Sequence, residues 1–408
     1  MQTLIKNYNL SIAAKIILFG AFFITIASGC FQLEHVLPFM IPVLSLLSKV
    51  VFILSFIIHV IICIKKKKAV ITKYDCILLV FFAWLIISSI LNGNSWLSHF
   101  PIIMKTLAIR WLLSLSIIYQ KKQVAAVLAF TFSFIIYLNF FFILFLPGFF
   151  GYYEGTEVYL LSTNYNQFGA IFVPAIFINL IALFSKKGKI SSIIPLLSVC
   201  FLSVALEGSV TASVGFALIL IVAIFVKNPK LIKLGSISLF IGIILFFITF
   251  VIPFFSVLDI PIVSQIVESF GKDMTFSSRT RVWLYADFQI SHSPIIGYGV
   301  CDKESYELLL NGFVNPHNII LHILLNGGLV GFVIFVIFVI AGINQIKSIA
   351  NLYQRQMLIF TSAVFLLMSQ FEVYNNMFIY LFLLFMYISK DYLSQHADFK
   401  PLFRIAQG

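Results

Sequence analysis

The sequence predicts an all-α polytopic membrane protein with about twelve transmembrane helices and one large extracytoplasmic loop. Three observations predict it. The 408-residue chain is 61% hydrophobic. Only 10% of its residues are charged, against roughly 25% in soluble domains, so there is too little polar surface to cover a water-soluble globule. Apolar runs recur along the whole length, each long enough to cross the roughly 30 Å of a bilayer's hydrocarbon core. The polar breaks between them are short, and residues 1–408 read as a single membrane domain.

Taken in order, the runs fall near 13–31, 39–64, 75–91, 101–118, 124–146, 165–184, 190–206, 209–226, 234–255, 318–341, 357–372 and 375–390. The first contains Ala27-Ser28-Gly29-Cys30, a distant echo of a lipoprotein cleavage site. With Ala at its first position and eleven further runs behind it, this span is expected to remain an uncleaved helix. Orientation follows from lysine and arginine. With the N-terminus inside, twenty of the 27 basic residues fall on inner segments, four on outer segments and three (Lys49, Lys105 and Arg110) within spans. That asymmetry is the positive-inside pattern, and it places both termini in the cytoplasm. The net charge of +12 is therefore an orientation signal, not a nucleic-acid footprint. Twelve of the 15 carboxylates fall outside. Cys30 and Cys301 are the two thiols expected outside, too few for a disulfide framework.

One outer loop is long, from about 256 to 316, and long loops that are not linkers are usually functional. Ile262–Phe270 and Val282–Ile290 read as short helices lying at the membrane surface. The loop carries Ser277-Ser278-Arg279-Thr280-Arg281-Val282-Trp283, then Pro294-Ile295-Ile296-Gly297-Tyr298-Gly299. Pro316-His317-Asn318 opens the next span, and Gly327-Gly328-Leu329-Val330-Gly331 follows.

This order resembles the signature of the O-antigen polymerase and O-antigen ligase superfamily, in which a Ser-Gly-Arg-x-x-x-Trp-like segment, a Pro-x-x-Gly-x-Gly turn and a His-Asn pair follow one another. The resemblance is detailed over roughly 277–331, with an echo at Asn164-Tyr165-Asn166-Gln167-Phe168-Gly169. Ser278 stands where glycine is common. The resemblance implies a fold close to the membrane glycosyltransferase (GT-C-like) class, in a bacterial cytoplasmic membrane. It implies an inverting, metal-independent polymerase that joins undecaprenyl-diphosphate-linked oligosaccharide repeat units for capsule, exopolysaccharide or O-antigen, with no cofactor. A chain-length regulator and a flippase would be its partners beside membrane lipid.

The residues fit such chemistry. An acceptor hydroxyl attacks the anomeric carbon and a lipid diphosphate leaves, so cations must meet developing negative charge. Arginine suits phosphate through its planar fork. Arg279 is the first candidate and Arg281 the second. Helical spacing would not put both on one face. Either could instead pair with a carboxylate such as Asp273 or Asp287. His317 could take the acceptor proton or bind a phosphate oxygen, or simply cap the following helix beside Asn318. His292 and His322 read as structural. Arg110, near mid-bilayer, is costly there and could hold a diphosphate or pair with a carboxylate. Lys105 could do the former or snorkel outward. Glu372 and Glu207 sit at tight outer hairpins, as sugar-hydroxyl ligands, as a base or as solvated turn residues. Asn166 and Asn318 complete the binding candidates, and Tyr152, Tyr153 and Tyr159 could stack on sugar rings or mark the interface.

There is no phosphate-binding Gly-x-x-x-x-Gly-Lys-Ser/Thr loop, no His-Glu-x-x-His and no Cys/His metal spacing. A ligase of the same superfamily is the nearest rival. A flippase or other transporter shares the twelve-span layout, but transporters concentrate polar residues in broken helices, whereas here they gather in one loop.

Overall fold

The computed structural model describes residues 8–34, 36–66, 71–153, 156–162, 165–225, 279–373 and 377–393. The expected ninth span at 234–255 and the segment Ile262–Phe270 lie outside them. The described residues form an all-helical bundle: α1 (Ile12–Cys30), α2 (Met40–Lys66), α3 (Lys73–Leu91), α4 (Phe100–Leu113), α5 (Lys121–Phe145), α6 (Phe168–Ser185), α7 (Ile194–Leu206), α8 (Val210–Phe225), α9 (Arg279–His292), α10 (Lys303–Leu309), α11 (Ile319–Lys347), α12 (Leu352–Met368) and α13 (Met377–Leu393). Eleven of the twelve expected spans coincide with helices. Among the described residues, seven stretches are long and apolar enough to cross a membrane, and three shorter apolar helices, Ile190–Leu206, Val210–Ile224 and Leu352–Met368, pack among them. The chain is a polytopic membrane protein. One small departure from the all-α expectation is a hairpin, β1 (Tyr152–Tyr153) against β2 (Thr156–Glu157), in the loop after α5.

The helix starts follow from local chemistry. Ser11, Thr72 and Asn351 each accept a hydrogen bond from a first-turn N–H, removing one orphan donor from an apolar setting. At Thr72 the arrangement is reciprocal, because Asp75 returns a bond to the Thr72 backbone. The centre of the bundle is α6 against α13, flanked by α5 and α11. Helix α6 is apolar all round and almost wholly buried, as a central helix must be. Helix α2 lies outside and exposes Leu46, Leu54 and Ile64, the pattern of a lipid-facing surface. Small residues allow close crossings. Gly29 meets Met377, Gly215 meets Met368, and Gly342 meets Met386.

Helix α11 is broken at Gly328, whose φ of 59° and ψ of −162° are not helical. The break lies nine residues below the helix start, roughly 14 Å at 1.5 Å per residue. Backbone groups freed at that depth must be satisfied by protein. The segment Pro294–Val300 does so. Leu329 N donates to Pro294 O at 2.8 Å, Tyr298 N to Leu325 O at 2.7 Å and Gly299 N to Asn326 O at 2.9 Å. Helix α3 closes the junction from the other side. Trp84 Nε1 donates to Gly327 O at 2.7 Å, Ser88 Oγ to Ile296 O at 2.8 Å and Asn94 Nδ2 to Tyr298 O at 2.6 Å. Glycine is required at 297 for two reasons. Its φ is +72°, and a Cβ there would strike the backbone of Gly328 and Asn326.

We therefore expect Gly297→Ala to cost at least about 1–3 kcal/mol from the positive φ alone. A lowered thermal unfolding midpoint of the detergent-solubilised protein, followed by tryptophan fluorescence, would report it. An unchanged midpoint would mean that the Gly297–Gly328 contact is dispensable.

Candidate active site

Helix α9 explains the spacing of the arginine–tryptophan segment. Arg279 and Trp283 are four apart and share a face. Trp283 is fully buried, its Nε1 donates to Pro316 O at 2.8 Å, and its ring lies 6.4 Å from that of Phe371. This anchor fixes the start of α9 beside two turns, the one that precedes α11 and the one between α12 and α13. A helix does run through Val282–Ile290, but a third of that stretch is buried, at Val282, Trp283 and Ala286.

Those turns supply the other residues. His317 has a φ of +46°, uncommon for a side chain with a Cβ. Its backbone N–H donates to Asn315 Oδ1 at 2.8 Å. This twist turns the imidazole towards Glu372. Nδ1 lies 3.3 Å from Oε1 and 3.4 Å from Oε2 of that carboxylate. Arg279 Nη2 stands 3.7 Å from Oε2, and Gln167 Nε2 donates to Oε1 at 2.8 Å. The carboxylate is almost buried, at 6% side-chain exposure, whereas Arg279 and His317 keep 22% and 29%. A buried anion is thus compensated by two groups that still reach solvent. With Nδ1–H given to the carboxylate, Nε2 carries the imidazole lone pair, and it has no hydrogen-bond partner among the described residues.

Several expectations need correction. Glu372 is not a solvated turn residue but the centre of the cluster. Arg279 pairs with Glu372 and not with Asp287, whose carboxyl is raised by burial to about 6. Arg281 lies on the exposed face of α9, away from the cluster. Asn318 is fully buried, and its Oδ1 accepts from Ile320 N and Leu321 N. It is the N-cap of α11, with no surface for a substrate. Asn166 does not touch Glu372. Its Oδ1 accepts from Ser209 Oγ at 3.0 Å, while its neighbour Gln167 makes the contact. Lys105 Nζ donates to Ser28 O at 2.6 Å, near the C-terminal end of α1, where a cation suits the helix dipole. Arg110 is also removed from the cluster. It pairs with Asp75 Oδ2 at 3.0 Å and reaches Thr72, in the first turn of α3, the opposite end from that which meets Pro294–Val300. Glu207 is held by the Tyr159 hydroxyl and is raised by burial. Cys30 and Cys301 are both free thiols.

Two groups escaped the sequence reading. Gln167 lies 205 positions from Glu372, and no local pattern marks such a pairing. Tyr306, His322 and Asn326 form a buried ring: Tyr306 donates to Asn326 Oδ1 at 2.5 Å, while His322 meets Tyr306 through Nδ1 at 2.9 Å and Asn326 through Nε2 at 3.1 Å. One assignment satisfies all three contacts. It is the neutral imidazole protonated at Nδ1 and accepting from the Asn326 amide. The ring ties α10 to α11 below the cluster.

The helical bundle, with a cation, an oriented histidine and a buried carboxylate at one end, defines a polytopic membrane protein with a polar cluster at that end. Comparison with known families then narrows the class. Residues 193–336 match the family described as O-antigen ligase, consistent with the O-antigen polymerase and ligase superfamily that the loop motifs resemble. That family implies a glycan-transferring membrane enzyme acting on lipid-linked glycans. The matched range contains Arg279, Trp283 and His317 but neither Gln167 nor Glu372. Among curated proteins, none matches the chain.

Arg110→Ala should leave Asp75 buried without its cation and destabilise the fold by about 3–5 kcal/mol. Arg110→Met with Asp75→Asn should recover most of that loss. Thermal melts of the three proteins test it. A single variant as stable as the wild type would show that the pair is replaceable.

Proposed function

We propose that the chain is a polymerase of undecaprenyl-diphosphate-linked oligosaccharide repeat units, working on the outer face of a bacterial cytoplasmic membrane. The observation that carries this reading is the contact of His317 Nδ1 with the buried Glu372, beside Arg279. A carboxylate behind an imidazole fixes its tautomer and steadies the imidazolium that forms on proton transfer, the logic of hydrolase triads. Here Nε2 takes the proton of the acceptor hydroxyl as the oxygen bonds to the anomeric carbon. The bond from that carbon to the diphosphate oxygen breaks, and its electron pair leaves with the lipid diphosphate. Arg279, partly exposed and with five N–H donors, meets the charge that builds on the leaving group. The charge is supplied by side chains, so the reaction as written needs no metal and no cofactor. An acceptor approaching from the face opposite the leaving group gives inversion.

The positive-inside distribution supports cytoplasmic termini and an outer site. The segment 256–316 would then be the extracytoplasmic loop of a single membrane domain, with a flippase supplying its donor and a chain-length regulator acting on its product. A second reading, transfer of a finished chain to another acceptor, is favoured by the description of the matching family as a ligase. The same cluster serves both reactions, since only the acceptor differs.

Removing the gene in its host and sizing the lipid-linked glycans separates the readings. Single repeat units on the outer leaflet support a polymerase. Long chains left on the lipid would favour a ligase, and units held on the inner leaflet would mean a flippase. Within the site, Arg279→Ala and His317→Ala should abolish chain growth. Glu372→Gln should reduce it by about 100-fold or more. Arg281→Ala should retain it. Normal glycan from the Arg279 or His317 variant, with the protein present in the membrane, would sink the site assignment.

A further inference from the structure

Two adjoining cavities open on the side of the bundle between α1, α5 and the α6–α7 turn, at the end opposite the Glu372 cluster. Their volumes are about 410 Å³ and about 290 Å³. They share Ala126, Phe130 and Lys186, and so form one groove. The groove is amphipathic along its length. Lys15 of the first α1 turn and Lys186 at the α6 C-terminus stand at its head. Both are exposed, and neither ammonium has a hydrogen bond or ion pair among the described residues. Beyond them the walls are Ile16, Phe19 and Phe130, with Ile16 and Phe130 more than half exposed. Ala126 and Ala129 make the floor shallow.

At the far end the polar side chains of Ser133 and Asn179 are already satisfied within the bundle. Ser133 Oγ donates to Asn179 Oδ1, and Asn179 Nδ2 donates to the carbonyls of Ala129 and Ala175. From Gln123 at the head to Tyr137 at the far end, the groove follows α5 for fourteen residues, roughly 21 Å. That exceeds the roughly 15 Å of hydrocarbon in one leaflet, so the groove can hold an extended acyl chain beneath its headgroup.

We propose that this groove binds an anionic phospholipid, its phosphate between Lys15 and Lys186 and one acyl chain along Phe19, Phe130 and Ala129. Two unpaired cations above an apolar trough complement that amphiphile. A zwitterionic lipid carries the same phosphate but brings its own headgroup cation to the two lysines, and a second copy of this chain would bring its own lysines to them. The site is independent of the glycan reaction proposed above.

Native mass spectrometry of the full-length protein, titrated with phosphatidylglycerol or phosphatidylcholine, tests the proposal. Phosphatidylglycerol should be retained and phosphatidylcholine lost. Lys15→Gln with Lys186→Gln should weaken retention roughly thirty-fold, about five-fold for each lysine near a lipid surface. Ala126→Trp, which fills the trough with both lysines intact, should also weaken it. Lys65→Gln with Lys66→Gln, at the end of α2, should leave it unchanged. Equal retention of the two lipids overturns the proposal. So does a Lys65/Lys66 variant as weak as the Lys15/Lys186 variant, or undiminished binding in Ala126→Trp. Should the Lys15/Lys186 variant fail to fold, the wild-type lipid comparison and Ala126→Trp decide.

Discussion

The interruption of α11 at Gly328 sets the terms for the half of this molecule that holds the Glu372 cluster. Breaking a helix about 14 Å below its start frees N–H and C=O groups where no water can answer them. The chain answers them with its own backbone, from Pro294 to Val300, and with the side chains of Trp84, Ser88, Asn92 and Asn94 at the end of α3. The strands of this junction approach so closely that only glycine fits at 297 and 328. Satisfying the backbone therefore also pins a long loop to the bundle. Helices α9 and α10, which bracket Pro294–Val300, are held in place by hydrogen bonds that the break itself demands.

That anchoring makes a buried carboxylate usable. An isolated anion at 6% exposure would be expensive. Glu372 is tolerated because Arg279, His317 and Gln167 converge on it from three different elements. Each approach has its own local cause. Trp283 docks the first turn of α9 under Pro316. The left-handed backbone of His317 turns its ring inward. The 3₁₀ turn Tyr165–Gln167 delivers Gln167 at the start of α6. The cluster combines rigid placement with two exposed polar faces, the condition for preorganised electrostatics.

The fold was largely legible in the sequence, because hydrophobic length is a property of the chain alone. The residues of the motif were legible too, and its i, i+4 spacing has a plain meaning: Trp283 buries the face that Arg279 shares. Pairing was not legible. The sequence left Arg110 open between a diphosphate and a carboxylate partner, because its carboxylate, Asp75, belongs to another helix 35 positions away. Asn318 looked like a ligand, because an N-cap and a substrate contact call for the same side chain. Glu372 looked like a turn residue, because burial of a hairpin depends on what folds over it, here α9 and His317. For Arg110 and Glu372 the missing information was a long-range contact.

The site is consequently composite. The loop motifs and the family match lie between 193 and 336, yet the carboxylate that faces His317 comes from residue 372 and the amide that holds it from residue 167. An oriented imidazole is worth more than a free one, because the correct tautomer and direction are set before the acceptor arrives. By this argument α9 and the turn before α11 bring the cation and the imidazole, while the bundle decides where that imidazole points. The motif alone, grafted onto another bundle, would carry Arg279 and His317 without the anion that makes them a pair.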